Sequence, residues 1–216
     1  MSSVTYHSLD QLPDTLTVFP LPGAMLFPHW HLPLNIFEPR YLNMVDDAMA
    51  GNRLIGMVQT TGGDRQKPDL AGVGCAGRIT AYSETEDGRY LITLTGIARF
   101  RIAAELNVRT PYRQVRPDWA PFANDLKPDS TEGLPPREAL VSALRDYVET
   151  HDMQADWKAV EVAPVDALVQ ALAAGSPFSV MEKQALLEAP TLKARADMLI
   201  ALLKMDSAGP DGGTLQ

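Results

Sequence analysis

The sequence predicts an α+β fold: a small β-barrel with one inserted helix, followed by a C-terminal α-helical subdomain. Three observations carry this reading. Apolar residues alternate with period two through most of the first 118 positions, interrupted by one helical stripe that opens after Glu38. Beyond residue 136 the apolar period lengthens to that of amphipathic helices. Pro20, Pro22, Pro28 and Pro33 crowd the first strands, and proline is tolerated in sheets only at edges, starts and bulges. Such strands are short and kinked, which suits a small barrel. The expected boundaries are a lead-in over 1–14, the barrel over 15–118, a linker over 119–135, the helical subdomain over 136–206 and a tail over 207–216.

Taken in order, Leu16, Val18 and the Phe19–Leu21 run read as a first strand, stopped by the turn dipeptide Pro22-Gly23. Met25, Leu26 and Phe27 read as a second short run. Leu32, Leu34 and Ile36 alternate with Pro33, Asn35 and Phe37, as in a strand buried on one face. Tyr41, Leu42, Val45, Ala48 and Met49 then form one helical stripe, with Pro39 suited to the first helical position and Gly51 to a left-handed C-cap. Leu54 to Val58 returns to strand, and residues 60–72 read as an exposed loop. Val73–Ser83 and Tyr90–Thr95 form a hairpin around Asp87-Gly88, a type I′ signal, while Gly96 separates the return strand from Ile97–Ile102. In the last of these, Ala98, Phe100 and Ile102 share one face and Arg99 and Arg101 the other. After the proline-bracketed linker come helical stripes through Leu140 and Leu144, through Leu168 and Leu172 up to Gly175, and through Leu199 and Leu203. Ser179 and Glu182 form the S-x-x-E pattern of a capping box.

Composition narrows the function classes. A formal charge of -8 argues against a protein that wraps nucleic acid. The N-terminus has no basic start and no apolar core, and no run approaches a membrane span. A single cysteine, Cys75, allows no internal disulfide, so a reducing cytoplasm is the expected setting.

Few residues invite chemistry. Glu38-Pro39-Arg40 sets a carboxylate beside a guanidinium, but a helix start favours a carboxylate and Arg40 can hold it, so the unit reads as fold-defining. His29 and His31 would share a face on a strand; no third ligand is identifiable, and no metal is expected. Cys75 has no histidine close in sequence and reads as a small core residue. Gly62, Gly63, Gly72 and Gly74 lack the strand–glycine loop–helix order of a phosphate site. No catalytic residue and no cofactor are expected. Seven arginines between Arg78 and Arg116 face four acids, a local balance near +3 in an acidic chain.

Three segments resemble the N-terminal domain of Lon proteases, a domain also found as a separate bacterial protein and in cereblon-type proteins. They are FPLPGAMLFPHWHLPLNIFEPRYLNMVDDAM, then Val73-Gly74 through Gly96-Ile97-Ala98-Arg99-Phe100, then Glu182-Lys183-Gln184-Ala185-Leu186-Leu187-Glu188. The resemblance implies a PUA-like barrel with a helical subdomain, and a non-catalytic role in holding polypeptide. No G-x-x-x-x-G-K-[ST] occurs, so the ATPase module of Lon is not expected here, and 216 residues are too few for its Ser–Lys protease module to be expected either. The expected peptide-binding surface lies on the 23–31 loop, with Met25, Phe27 and Trp30. The alternative that PUA-like folds suggest is RNA binding through Arg99 and Arg101. No membrane partner is expected.

Overall fold

Eight strands and six α-helices run along the described part of the computed structural model, which covers residues 5–64 and 67–207. In chain order they begin with β1 (Leu16–Pro20), β2 (His31–Ile36), α1 (Pro39–Ala50), β3 (Leu54–Val58), β4 (Thr60–Gly63) and β5 (Pro68–Leu70). The long pair β6 (Val73–Glu84) and β7 (Tyr90–Glu105) follows, then β8 (Arg113–Asp118). The helices α2 (Arg137–Thr150), α3 (Trp157–Val162), α4 (Val165–Gly175), α5 (Val180–Glu188) and α6 (Leu192–Ser207) complete it. Of the expected tail Ser207 instead closes α6, while residues 208–216, and residues 1–4 of the lead-in, lie outside the described residues. Contacts divide the chain into two units: residues up to Pro128 with Ser179–Leu187, and Asp129–Phe178 with residues from Glu188 onward.

The first unit is built on a six-stranded sheet in the order β2-β7-β6-β3-β1-β8. All pairings are antiparallel except β1 with β3. β8 pairs with β1 through Leu16–Val18 and also with the far end of β7, from Arg101 to Glu105. Leu16, Val18, Leu54, Ala98, Phe100 and Val115 fill the interior, and Trp119 meets Phe100 edge-on at 5.6 Å between ring centroids.

Five local expectations are corrected. Met25, Leu26 and Phe27 do enter the core, but as irregular chain rather than as a strand. Residues 60–72 are not a plain loop, because β4 and β5 pair as a small ribbon of their own. Gly96 does not end a strand; β7 passes through it, for a reason given below. The turn after β6 has a positive φ at Gly88 (75°) but none at Asp87 among the described residues, and Gly88 N–H donates to Thr85 O. That is a type I turn closed by a left-handed glycine, not a type I′ turn. Helix α1 begins at Pro39 as expected, yet Gly51 has φ -105° and the left-handed residue near that end is Arg53 (φ 63°).

Helix α5 belongs to the sheet unit, although the sequence groups it with the helical half. Its start is a complete capping box: Ser179 N–H and Oγ donate to Glu182 Oε2 at 2.8 and 2.7 Å, and Glu182 N–H donates to Ser179 Oγ at 3.3 Å. The two residues that follow reach backbone carbonyls of the sheet unit. Lys183 Nζ donates to Gly23 O at 3.0 Å, and Gln184 Nε2 donates to Val73 O at 3.0 Å. Gln59, buried at the end of β3, donates to Val180 O and accepts from Gly23 N–H, both at 3.0 Å. Burial lowers the Lys183 pKa from its ordinary value. The E-K-Q run is thus a docking device: one residue caps the helix and the next two fasten it.

The second unit packs α2 on α6 and α4 on α6 through Leu140, Leu144, Leu168, Val169, Leu199 and Leu203. Arg195, fully buried there, donates to Gln170 Oε1 at 3.2 Å. Arg137 donates to the carbonyls of Ala163 and Val160, tying the start of α2 to the end of α3.

Candidate binding groove

A groove of about 880 Å³ opens on the sheet unit, walled by the ends of β1 and β2, the start of α1, the β4–β5 ribbon and the segment before β8. That volume is at the upper end of small-ligand pockets, and it is large enough for a stretch of chain. Part of its lining is apolar: Phe19 packs on Tyr41 with the rings tilted by 45° and their centroids 4.3 Å apart, and Leu21, Leu34 and Ile36 also line it. Phe37 stands at the rim 61% exposed, with the Arg89 guanidinium 5.9 Å from its ring. An aromatic ring left this open beside an apolar lining is the kind of exposure that marks an interaction site.

The charges around the groove mostly satisfy one another. Arg40 donates to Glu38 Oε2 from Nε at 3.0 Å, with its Nη2 at 2.9 Å, and its guanidinium also lies 4.6 Å from the Tyr41 ring centroid. Glu38 O accepts from Tyr41 N–H at 2.8 Å and Leu42 N–H at 3.0 Å, but the Glu38 carboxylate caps no helix N–H. The unit Glu38-Pro39-Arg40 therefore both starts α1 and lines the groove. Across from it, Arg113 grips Glu105 with two bonds, Nε to Oε1 at 2.8 Å and Nη2 to Oε2 at 2.6 Å, and donates a third to Pro68 O at 2.5 Å. Three cations (Arg40, Lys67, Arg113) stand against three carboxylates (Glu38, Asp64, Glu105) among the described lining residues.

Titration follows this pairing. The Arg113 guanidinium holds the Glu105 carboxyl below the ordinary carboxylate range. A depressed carboxylate pKa contributes stability that is present above the unfolded value and is lost as pH falls through the folded one. Glu105→Gln is therefore expected to lower the urea midpoint at pH 7 by an amount corresponding to at most about 1 kcal/mol, the pair being partly exposed. The difference should shrink as the pH falls through the lowered Glu105 pKa, and a difference that stays constant on acidification would show that the pair is not its source. Tyr112 is pushed up to about 12 by burial and by donating to Asp47 Oδ2 at 2.5 Å, and Tyr41 is raised chiefly by burial. Both phenols stay protonated at neutral pH. The described lining contains no serine, cysteine or histidine, so it offers no hydroxyl–imidazole or thiol–imidazole pair for nucleophilic catalysis.

The residues singled out in the sequence are dispersed. Met25 and Phe27 are 3% and 0% exposed, which corrects the expected 23–31 surface: these side chains build the core and only Trp30 is half-exposed. His29 takes φ 62° and precedes β2, so it does not share a strand face with His31. Its Nε2 donates to Lys127 O at 3.2 Å, while His31 Nδ1 meets Thr95 Oγ1 at 2.9 Å. Among the described residues no group of three or more His, Cys, Asp or Glu could hold a metal ion. Cys75 is buried in β6.

The arginine row does not form one face either. Arg99 is 5% exposed and locked on Asp125, Arg89 pairs with Asp87 and Arg113 with Glu105. Arg101 alone of the named RNA-binding pair is exposed. Alternation along β7 placed Arg99 outside; the 3-10 turn Ala120–Leu126, within the expected linker, covers that side instead. Sequence reasoning missed Asp125 and the groove pair Glu105–Arg113. The single acid of FANDL, set just before Leu126, was the available signal for the first.

The family model of the ATP-dependent protease La (LON) substrate-binding domain matches residues 15–205. A Lon protease of Desulfosudis oleivorans is 27% identical over 197 residues, covering 86% of this chain and 23% of that protein. Lon protease 2 of Myxococcus xanthus is 27% identical over 203 residues, covering 90% and 24%. The chain spans about a quarter of the length of these curated relatives. The crystal structure of a Lon N-terminal domain protein from Xanthomonas campestris superposes with a TM-score of 0.60 at 24% identity, covering 87% of this chain and 97% of that one. The N-terminal domain of the Mycobacterium avium complex Lon protease gives 0.59 at 16% identity, covering 88% and 97%. At these identities the structural likeness concerns the fold.

Proposed function

We propose, from the premise that this chain belongs to the LON substrate-binding domain family, that it is a binding module which takes polypeptide in the groove and performs no chemistry. One observation carries the choice of site: a partly apolar lining with a 61%-exposed phenylalanine at its edge, ringed by charges that already neutralise one another. A nucleic acid would call for unpaired cations, and of the arginine row Arg99 is buried on Asp125 and Arg113 is bridged to Glu105. The PUA-like barrel belongs to the same proposal, supported by the ladder that runs β7-β6-β3-β1-β8 and back to β7. So does a reducing, cytoplasmic setting, supported by a single buried cysteine. No helix of the described residues is long and apolar enough to cross a membrane.

The test compares reduced, carboxymethylated α-lactalbumin with the native protein by fluorescence anisotropy. Binding is expected at micromolar concentration for the unfolded form and weaker by about tenfold or more for the native one, with Phe37→Ser costing the unfolded ligand a similar factor. Equal affinity for the two forms would remove the proposal.

A further inference from the structure

Resting on that reading, we infer that the groove holds an extended, uncharged polypeptide segment through its side chains and is closed to strand addition. The two strand edges that border it decide this. Leu21 N–H donates to Val58 O, so at the end of β1 Leu21 N–H points to β3 and the peptide groups of Pro20 point the other way, with Pro22 following in the turn. β8 pairs with β1 only as far as Val18, so beyond that point the edge is open. Neither proline has an N–H. That edge presents carbonyls and no donor.

β2 repeats the device. Gly96 N–H donates to Trp30 O. The pairing of His31 with Thr95 and of Ile36 with Tyr90 continues that register. By alternation Leu32, Leu34 and Ile36 face β7, and His31, Pro33 and Asn35 face outward. Pro33 removes the central donor of the outward edge. Across both edges, of the five positions Pro20, Pro22, His31, Pro33 and Asn35, only His31 and Asn35 carry an N–H. An added strand needs a donor and an acceptor at each outward residue, and prolines on edges are a known way of refusing one. What these walls do offer is apolar surface at Leu21, Leu34 and Phe37, with balanced charge at the rim. A neutral segment matches that balance, whereas a charged one would have to break Glu38–Arg40 or Glu105–Arg113.

The experiment uses peptides tiling the α-lactalbumin sequence. The tightest binder is remade with N-methyl groups on alternate amides, once in each of the two registers, and with its largest apolar side chain changed to alanine. Both N-methylated forms are expected to bind within about threefold of the parent, and the alanine form about tenfold more weakly. A loss of about tenfold or more confined to one N-methyl register would mean strand addition and overturn the inference while leaving the groove as the site. Binding by the parent that Phe37→Ser does not change would take away the groove reading itself, and this inference with it.

Discussion

Replacing Asp125 by alanine is expected to cost about 3–5 kcal/mol of folding stability, a large share of the roughly 5–15 kcal/mol that holds a domain together. Asp125 Oδ2 accepts from the backbone N–H of Arg99 at 2.9 Å and from its Nε at 2.8 Å, and Oδ1 accepts from Nη2 at 2.7 Å. The two side chains are 6% and 8% exposed, so the ion pair lies out of water. Arg99 Nη1 also donates to Leu187 O at 2.9 Å, and its guanidinium lies 4.7 Å from the Phe122 ring centroid. Taking away the carboxylate removes a counter-charge from a guanidinium that is buried. The double change Arg99→Met with Asp125→Ala should recover part of the loss, because the cost of a broken buried pair is largely that of the charge left behind. Urea denaturation of the two variants beside the unaltered protein checks this. A loss below about 1 kcal/mol for Asp125→Ala would mean the pair is solvated in the native state.

Gly96→Ala is the second large effect, expected at about 3 kcal/mol or more, above the usual cost of overpacking. A Cβ there would lie 1.9 Å from Phe27 O and 2.8 Å from its carbonyl carbon. Both are backbone atoms, so no rotamer change relieves the overlap. The loop is also fastened at that point, since Gly96 N–H donates to Trp30 O and His29 N–H donates to Gly96 O, each at 2.9 Å. Making room would lift Phe27, which is fully buried, out of the core. Gly72→Ala is the control, because a Cβ there meets nothing within 4 Å. Thermal melts should separate the two variants clearly, and similar midpoints would show that the 27–30 turn yields easily.

These two positions also show where reading the sequence stops. Periodicity located β1, β2, α1, the β6–β7 pair and the α5 capping box, because each is specified by residues within a few positions of one another. Gly96 read as an interruption because local sequence records only the absence of a side chain. The carbonyl that requires that absence comes from Phe27, far earlier in the chain. Arg99 read as solvent-facing because alternation assumes one wet face, whereas β7 is covered on both sides where Asp125 meets it. Met25 and Phe27 read as a binding surface because they sit among prolines and a turn, where apolar residues are often exposed. The groove was half legible: Phe37, Glu38, Arg40 and Tyr41 are neighbours in sequence, but Glu105, Arg113 and the proline edges join them only through the fold.

Helix α5 has a consequence for how the chain is made. It completes the sheet unit, supplying Leu187 O to Arg99 and Lys183 to Gly23, yet it follows the whole of residues 129–178. Synthesis at about 5–20 residues per second puts roughly 3–12 s between the appearance of Pro128 and that of Leu187. Through that interval every strand of the sheet has been translated, while Gly23, Val73 and Arg99 still lack partners that the finished unit gives them. The chain thus has all the strands of its sheet seconds before the helix that fastens them, and that helix is the one carrying the E-K-Q run.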